Sequence, residues 1–229
     1  MHSLEKHVRV VSVGPFGRSV ARFLLSLRRD VEETAAPDAP GASDLILAGL
    51  VREETHTTIL AASHPVPHLC DQIDKLTHER GAAFVPVILE SALLRVGPVV
   101  LSGQPPCWDC WIRRRAQFAS SPNVHQALLQ HYSASNRGPR GHLASFAAMA
   151  AGRVASVLAA LDAKQPVAGR VWQIDLLTRA MTAGRAEGIH DCPRCGLHRA
   201  AATRSVLEMQ TELRYLWARG ASGSGKGSA

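Results

Sequence analysis

The chain reads as an α/β protein, one sheet with helices on both faces, and three observations carry that reading. Apolar runs of strand length alternate with helical segments. Two C-x-x-C pairs, Cys107-Trp108-Asp109-Cys110 and Cys192-Pro193-Arg194-Cys195, stand about eighty residues apart and would tie a late segment back onto an earlier one. The 229 residues are 46% hydrophobic, enough to bury a sizeable core in one domain or in one domain with an appendage.

Val8-Arg9-Val10-Val11-Ser12-Val13 is an apolar strand that runs into Gly14-Pro15-Phe16-Gly17, and Val20, Ala21, Leu24 and Leu25 then mark one face of a helix. A strand-turn-helix opening carries the pattern G-x-G-x-x-G when its backbone amides approach phosphate. Here Ser12 stands at the first glycine position, Gly14 and Gly17 remain, and Pro15 removes an amide donor. Gly14 and Gly17 are therefore the candidate nucleotide-binding residues of a degenerate loop, beside the alternative of a tight turn with no ligand. Thr34 to Ser43 reads as a polar, Pro-rich surface loop, and Leu45 to Val51 as a short buried parallel strand. Val66 to Arg80 is helical and ends at Gly81, and Phe84 to Leu89 and Ala92 to Leu101 supply two more strands.

From Gly141 a long Ala-rich helix keeps Leu143, Phe146, Ala147, Ala150, Val154, Val157, Leu158 and Leu161 on one stripe. Val171 to Leu176 alternates as a strand and delivers the chain toward the second cysteine pair. Arg199 to Arg219 reads as a helix with Val206, Met209, Leu213 and Leu216 in an a/d-like stripe, and Gly220 to Ala229 as a disordered Gly/Ser-rich tail.

Cys107, Cys110, Cys192 and Cys195 are the candidate metal ligands. Two such turns complete a closed four-sulfur shell around one zinc ion, a structural site with no position open for catalysis. A pair of disulfides, or redox motifs in which one C-x-x-C opens a helix, are the alternatives. Cys70 has no sequence partner and reads as a small core residue. No apolar run approaches the length of a membrane span and the N-terminus lacks a signal peptide, so the chain is expected in the cytoplasm, where thiols stay reduced, and away from membranes. The formal charge of +7 and the run Arg113-Arg114-Arg115 raise nucleic acid as a partner, but few aromatics and scattered arginines argue against it.

The order of elements resembles the ubiquitin-activating-enzyme-like (ThiF and MoeB type) proteins with their Rossmann-like sheet. Among them it is most similar to the ocin-ThiF-like cyclodehydratase partners of azole-containing ribosomal peptide biosynthesis. The likeness runs from about residue 8 to 197 and is carried by Gly14-Pro15-Phe16-Gly17-Arg18, Gly97-Pro98-Val99-Val100, Pro106 to Cys110, Ile174-Asp175-Leu176-Leu177-Thr178 and Cys192 to Gly196. The resemblance implies an E1-like domain over residues 1–197 with a structural four-cysteine zinc site, a helical extension over 198–219 and a tail over 220–229.

Active members of that family adenylate a carboxylate with ATP, a ribose-binding acid and a magnesium-binding aspartate just past a strand. Matched to Leu45–Val51, that strand is followed by Arg52-Glu53-Glu54 and no aspartate, and the ribose strand is expected to be replaced by the Pro-rich loop. No cysteine lies between Cys110 and Cys192 to serve as a thioester nucleophile. The resemblance thus implies a non-adenylating scaffold without catalytic residues, a homo- or heterodimer that helps present a precursor peptide to a YcaO-type cyclodehydratase. With only seven residues before the first strand, the chain is expected either to act beside a separate recognition protein or to present a sheet edge to which an extended peptide adds as a strand. The alternative is an active ATP-dependent enzyme acting on a peptide or small carboxylate.

Overall fold

The computed structural model describes residues 7–36, 55–90, 92–135, 141–190 and 192–196. The predicted strand at Leu45–Val51, the helix at Arg199–Arg219 and the tail lie outside them.

Strand β1 (His7–Val13) runs between β2 (Val31–Ala36) and β3 (Thr55–Ala62), parallel to both, with Val10 opposite Glu33 and Ile59. Next to β3 lies β4 (Ala83–Glu90), also parallel. The chain then reverses. β5 (Leu93–Val96), β7 (Arg170–Asp175) and β8 (Met181–Arg185) follow antiparallel in the order β2-β1-β3-β4-β5-β7-β8, and the short β6 (Val100–Leu101) pairs with β4. The single long strand expected over Ala92–Leu101 is split where Gly97 and Pro98 interrupt it.

Successive side chains of a strand point to opposite faces, and the core divides accordingly. Val8 and Val10 of β1 join one cluster with helix α1 (Gly14–Leu27), through Phe16, Val20 and Leu24, and with helix α5 (Ala144–Asp162), through Ala147, Ala150, Val154 and Leu158. Val11 and Val13 join the other cluster, with Val66, Leu69 and Ile73 in and beside α2 (Pro67–Glu79) and Trp108 at the start of α3 (Trp108–Gln117). Helix α4 (Pro122–Ser135) lies on this second side, against α2 and α3.

Several expectations are corrected. Thr34, Ala35 and Ala36 belong to β2 rather than to a loop: the strand is an edge whose burial alternates only weakly, so its polar residues hide it from a periodicity search. β3 is hidden in the same way because Thr55-His56-Thr57-Thr58 is polar, although Thr57 and Thr58 are buried in the sheet. Leu25 is 41% exposed, one position off the inner stripe of α1, and Leu143 is 60% exposed just ahead of α5. By length and composition α5 does reach membrane-spanning size, with a mean hydropathy of 1.6. Its stripe of small residues instead lets α1 approach, while Arg153 at mid-helix lies 5.2 Å over the ring of Trp172.

Leu24 is wholly buried between α1 and α5, whereas Arg28 at the end of α1 pairs across the surface with Asp30 and Asp162. Leu24→Ala is expected to cost about 2–5 kcal/mol through the cavity it leaves, and Arg28→Ala less than about 1 kcal/mol. Urea unfolding of both variants checks the order, and an equal loss would contradict this account of the core.

Candidate functional site

The two C-x-x-C pairs meet. Cys107 is the residue before the first turn of α3, preceded by Pro105 and Pro106, and Cys110 lies within that turn. Cys107 Sγ lies 3.5 Å from Cys192 Sγ and 3.7 Å from Cys110 Sγ, and Cys110 Sγ lies 3.4 Å from Cys195 Sγ. These separations exclude disulfides, and all five cysteines are free thiols. Four sulfurs at about 2.3 Å from a tetrahedral zinc stand about 3.8 Å apart, so the cluster needs little adjustment to close on an ion. All four are buried with their sulfurs within 4.8 Å of one another, an arrangement that can hold one metal ion.

Metal-free, the group can keep only part of its charge. The contact with Cys110 pushes the Cys107 thiol up, and the reciprocal contact, aided by the Ile189 amide at 3.3 Å, draws Cys110 down. A divalent cation removes that conflict by ionising every ligand.

The second pair is held by its own spacer. Arg194 reaches α2 and forms ion pairs with Asp74, which is wholly buried, and with Asp71 at 2.8 Å. Burial raises the Asp74 carboxyl more than Arg194 lowers it; at Asp71 burial is outweighed by hydrogen bonds from Lys75 and Arg194, and the carboxyl lies below its ordinary range. At Gly196 a Cβ would overlap the Cys192 carbonyl, so the closing turn of the pair requires glycine there.

The glycine turn is a second candidate site. Gly14 opens α1 at φ +70°, and the space its Cβ would take belongs to Ser63; at Gly17 that space belongs to the Ala61 carbonyl of β3. Both glycines are thus needed for the helix to sit against the strand. Ser63 Oγ accepts a hydrogen bond from the Phe16 amide at 3.0 Å and donates to the Val13 carbonyl at 3.2 Å. With Pro15 lacking an N–H and the Phe16 amide bonded to Ser63, two positions of the turn offer no donor to a ligand.

Other sequence candidates resolve into structure. Cys70 is buried in α2, its thiol raised by desolvation, as a core residue should be. Arg113, Arg114 and Arg115 reach Asp109, the Gly188 carbonyl and Glu90. The Asp-Leu-Leu-Thr stretch is the turn from β7 to β8, where the Thr178 and Leu177 amides both donate to Asp175 at 2.9 Å and hold its carboxyl below the ordinary range. Sequence reasoning missed Ser63 and Arg194, whose roles depend on β3 and on α2 lying next to the cysteine turn.

No protein-family model and no curated protein sequence matches the chain. Solved structures do. The heterocyclase TruD superposes with a TM-score of 0.57 at 18% identity over 84% of this chain and 28% of its own. Escherichia coli MccB gives 0.56 at 13% identity over 86% and 67%, and the E. coli microcin synthetase McbBCD complex gives 0.60 at 15% over 83% and 69%. The chain shares the fold of these structures. It spans little more than a quarter of the TruD chain and about two thirds of the MccB and microcin synthetase chains.

Removing Arg194 leaves the Asp74 carboxylate buried without its partner. Arg194→Ala is expected to cost about 3–5 kcal/mol, with part of the loss recovered in the Arg194→Ala, Asp74→Asn double variant. A double-mutant cycle from urea unfolding measures this, and strictly additive losses would show that Asp74 does not depend on Arg194.

Proposed function

We propose that this chain is a zinc-stabilised, non-adenylating scaffold subunit of a complex that forms azolines or azoles in a ribosomally made peptide. In this reading it works as a homo- or heterodimer in the cytoplasm and helps present the precursor peptide to a YcaO-type ATP-dependent cyclodehydratase. The observation that carries it is the filled glycine turn. Adenylation needs donors and a metal aimed at the charge that builds on the phosphates. Here Pro15 offers no donor and the Phe16 amide is hydrogen-bonded to Ser63.

The missing carboxylate points the same way, although at a different strand from the one the sequence suggested. The neighbour of β1 on the side toward β4 is Thr55–Ala62, and just past it stand Ser63 and His64, neither of which can anchor magnesium as an aspartate would. The structural neighbours support the setting: one is a heterocyclase, a further one is a heterocyclase in complex with substrate and cofactor, and one is a microcin synthetase complex. Zinc is the metal favoured by four thiolates at tetrahedral spacing. The internal partners of Arg113–Arg115 argue against a nucleic-acid surface there.

A second reading, an active adenylating enzyme, is favoured by a specific neighbour: MccB with AMPCPP and MccA superposes with a TM-score of 0.56 at 13% identity over 84% of this chain. Calorimetric titration of the zinc-loaded protein with ATP, with and without magnesium, separates the two. No heat of binding up to millimolar ATP is expected, and saturable magnesium-dependent binding would overturn the scaffold reading. For the metal, one zinc per chain is expected by elemental analysis. Cys192→Ser should lose the ion together with much of the thermal stability, because metal affinity is folding free energy at such a site. Full zinc content and an unchanged melting curve in that variant would refute the four-sulfur site.

A further inference from the structure

Arg95 of β5 is the largest fully buried side chain described, 1% exposed, with its guanidinium 5.5 Å from the ring of Trp108 and 5.3 Å from that of Trp111. Its Nη2 pairs with Glu90 Oε1 at 2.7 Å, and Arg115 Nη1 reaches both oxygens of the same carboxylate, at 3.0 and 2.9 Å. Arg95 Nε and Nη1 have no hydrogen-bond partner among the described residues. A guanidinium taken out of water with two N–H groups idle among the described residues bears a desolvation penalty, and an incoming oxygen ligand would relieve it.

A cavity of about 280 Å³ lies beside this group, between the start of α2, the end of β4, α3 and α4. Its walls are mainly apolar, with Pro65, Ile88, Leu93, Ile112 and Leu128 among them and Tyr132 adding a phenol. The charged side chains that line it are Glu90, Arg95 and Arg115, one carboxylate against two guanidiniums, so a single negative charge brings the site to neutrality. It sits at the carboxyl ends of β3 and β4, where open α/β sheets bind ligands, yet none of its lining residues belongs to the glycine turn or to the thiol cluster. The volume falls just under the usual range for small-molecule sites, about 300–1,000 Å³, which suits an amino-acid-sized body better than a nucleotide.

We propose that this cavity binds a carboxylate carried on a small apolar body, with Arg95 as its anchor. A carboxylate accepts a hydrogen bond from an idle N–H of Arg95, supplies the one charge that is missing, and leaves its apolar part against Ile88, Leu93 and Leu128. The proposal stands whether or not the chain serves as a scaffold.

The test is fluorescence titration of the zinc-loaded protein, in which Trp108 and Trp111 report on the site. The probes are N-acetyl-leucine, its amide, a tetrapeptide ending in a free leucine carboxylate, and inorganic phosphate. Saturable binding of the acid or the tetrapeptide is expected, with the amide at least tenfold weaker. Binding of both would assign the site to peptide termini as well as free acids, and binding of the acid alone to free acids. Arg95→Gln should abolish the signal. Because that buried position can also disturb folding, Leu128→Trp, at a residue 49% exposed on the rim, should block the cavity without lowering the melting temperature. Equal binding of acid and amide, no binding of either carboxylate, tighter binding of phosphate, or full affinity in a folded Leu128→Trp variant would each overturn the proposal.

Discussion

Four sulfurs packed within 4.8 Å of one another inside the protein are the constraint on which the rest of the structure depends. Buried and uncompensated, they cannot all be charged, and as neutral thiols they make only weak hydrogen bonds. A divalent cation turns this poor cluster into a strong cross-link between positions 85 residues apart. The neighbouring sequence is arranged to permit it: the first turn of α3 faces Cys107 and Cys110, the Ile189 amide donates to Cys110, and Gly196 leaves room for the Cys192 carbonyl. Arg194, inside the second pair, holds the knuckle to α2 through Asp71 and Asp74, so the cross-link fixes α2 and α3 together rather than fastening a loose end.

The glycine turn shows how a ligand motif and a packing motif share residues. Gly14 and Gly17 would be required with or without a nucleotide, since each lies where a side chain would strike β3 or the serine just past it. Their presence alone is therefore no argument for phosphate binding. The discriminating groups are the amides around them. Ser63 reaches the Phe16 amide from the end of the adjacent strand, so that amide gains its hydrogen bond on folding and not on ligand binding. Displacing Ser63 to admit phosphate would break two hydrogen bonds in a buried place, and a phosphate would have to replace both.

What the sequence made legible follows from chemistry that is local. C-x-x-C spacing fixes two thiols on one turn, so the clustering of all four cysteines could be read without the fold. The strands rich in valine and isoleucine, β1, β4 and β7, and the Ala-rich helix α5 declared themselves by period and composition. β3 and β8 did not. The first begins with a polar threonine-rich stretch, and the second, Met181-Thr182-Ala183-Gly184-Arg185, is exposed along its whole length and owes its existence to pairing with β7. Missing β3 displaced the search for a magnesium-binding acid to a segment outside the described residues, and it concealed Ser63. Arg95 was equally silent, because one arginine in an apolar run becomes informative only when its two tryptophan neighbours and its shared carboxylate are seen around it.

Helix α3 joins the two unusual parts of the molecule. Its first turn carries Cys110, with Cys107 just ahead of it; Trp108 of that same turn and Trp111 flank Arg95, and Arg115 one turn further on shares Glu90 with it. A ten-residue helix is too short to hold its position by intrinsic propensity. Its place is set by the thiol cluster at one end and by the Trp-Arg-Glu array along its side, so the two anchors act on one rigid body. Their contributions to stability are therefore coupled and not additive. A change at the thiol cluster would therefore act on the N-terminus of α3, and with it on the aromatic walls that keep Arg95 out of water. Through α3 the four cysteines bear on the geometry of the cavity in which the chain presents a fully buried guanidinium with two idle donors among the described residues.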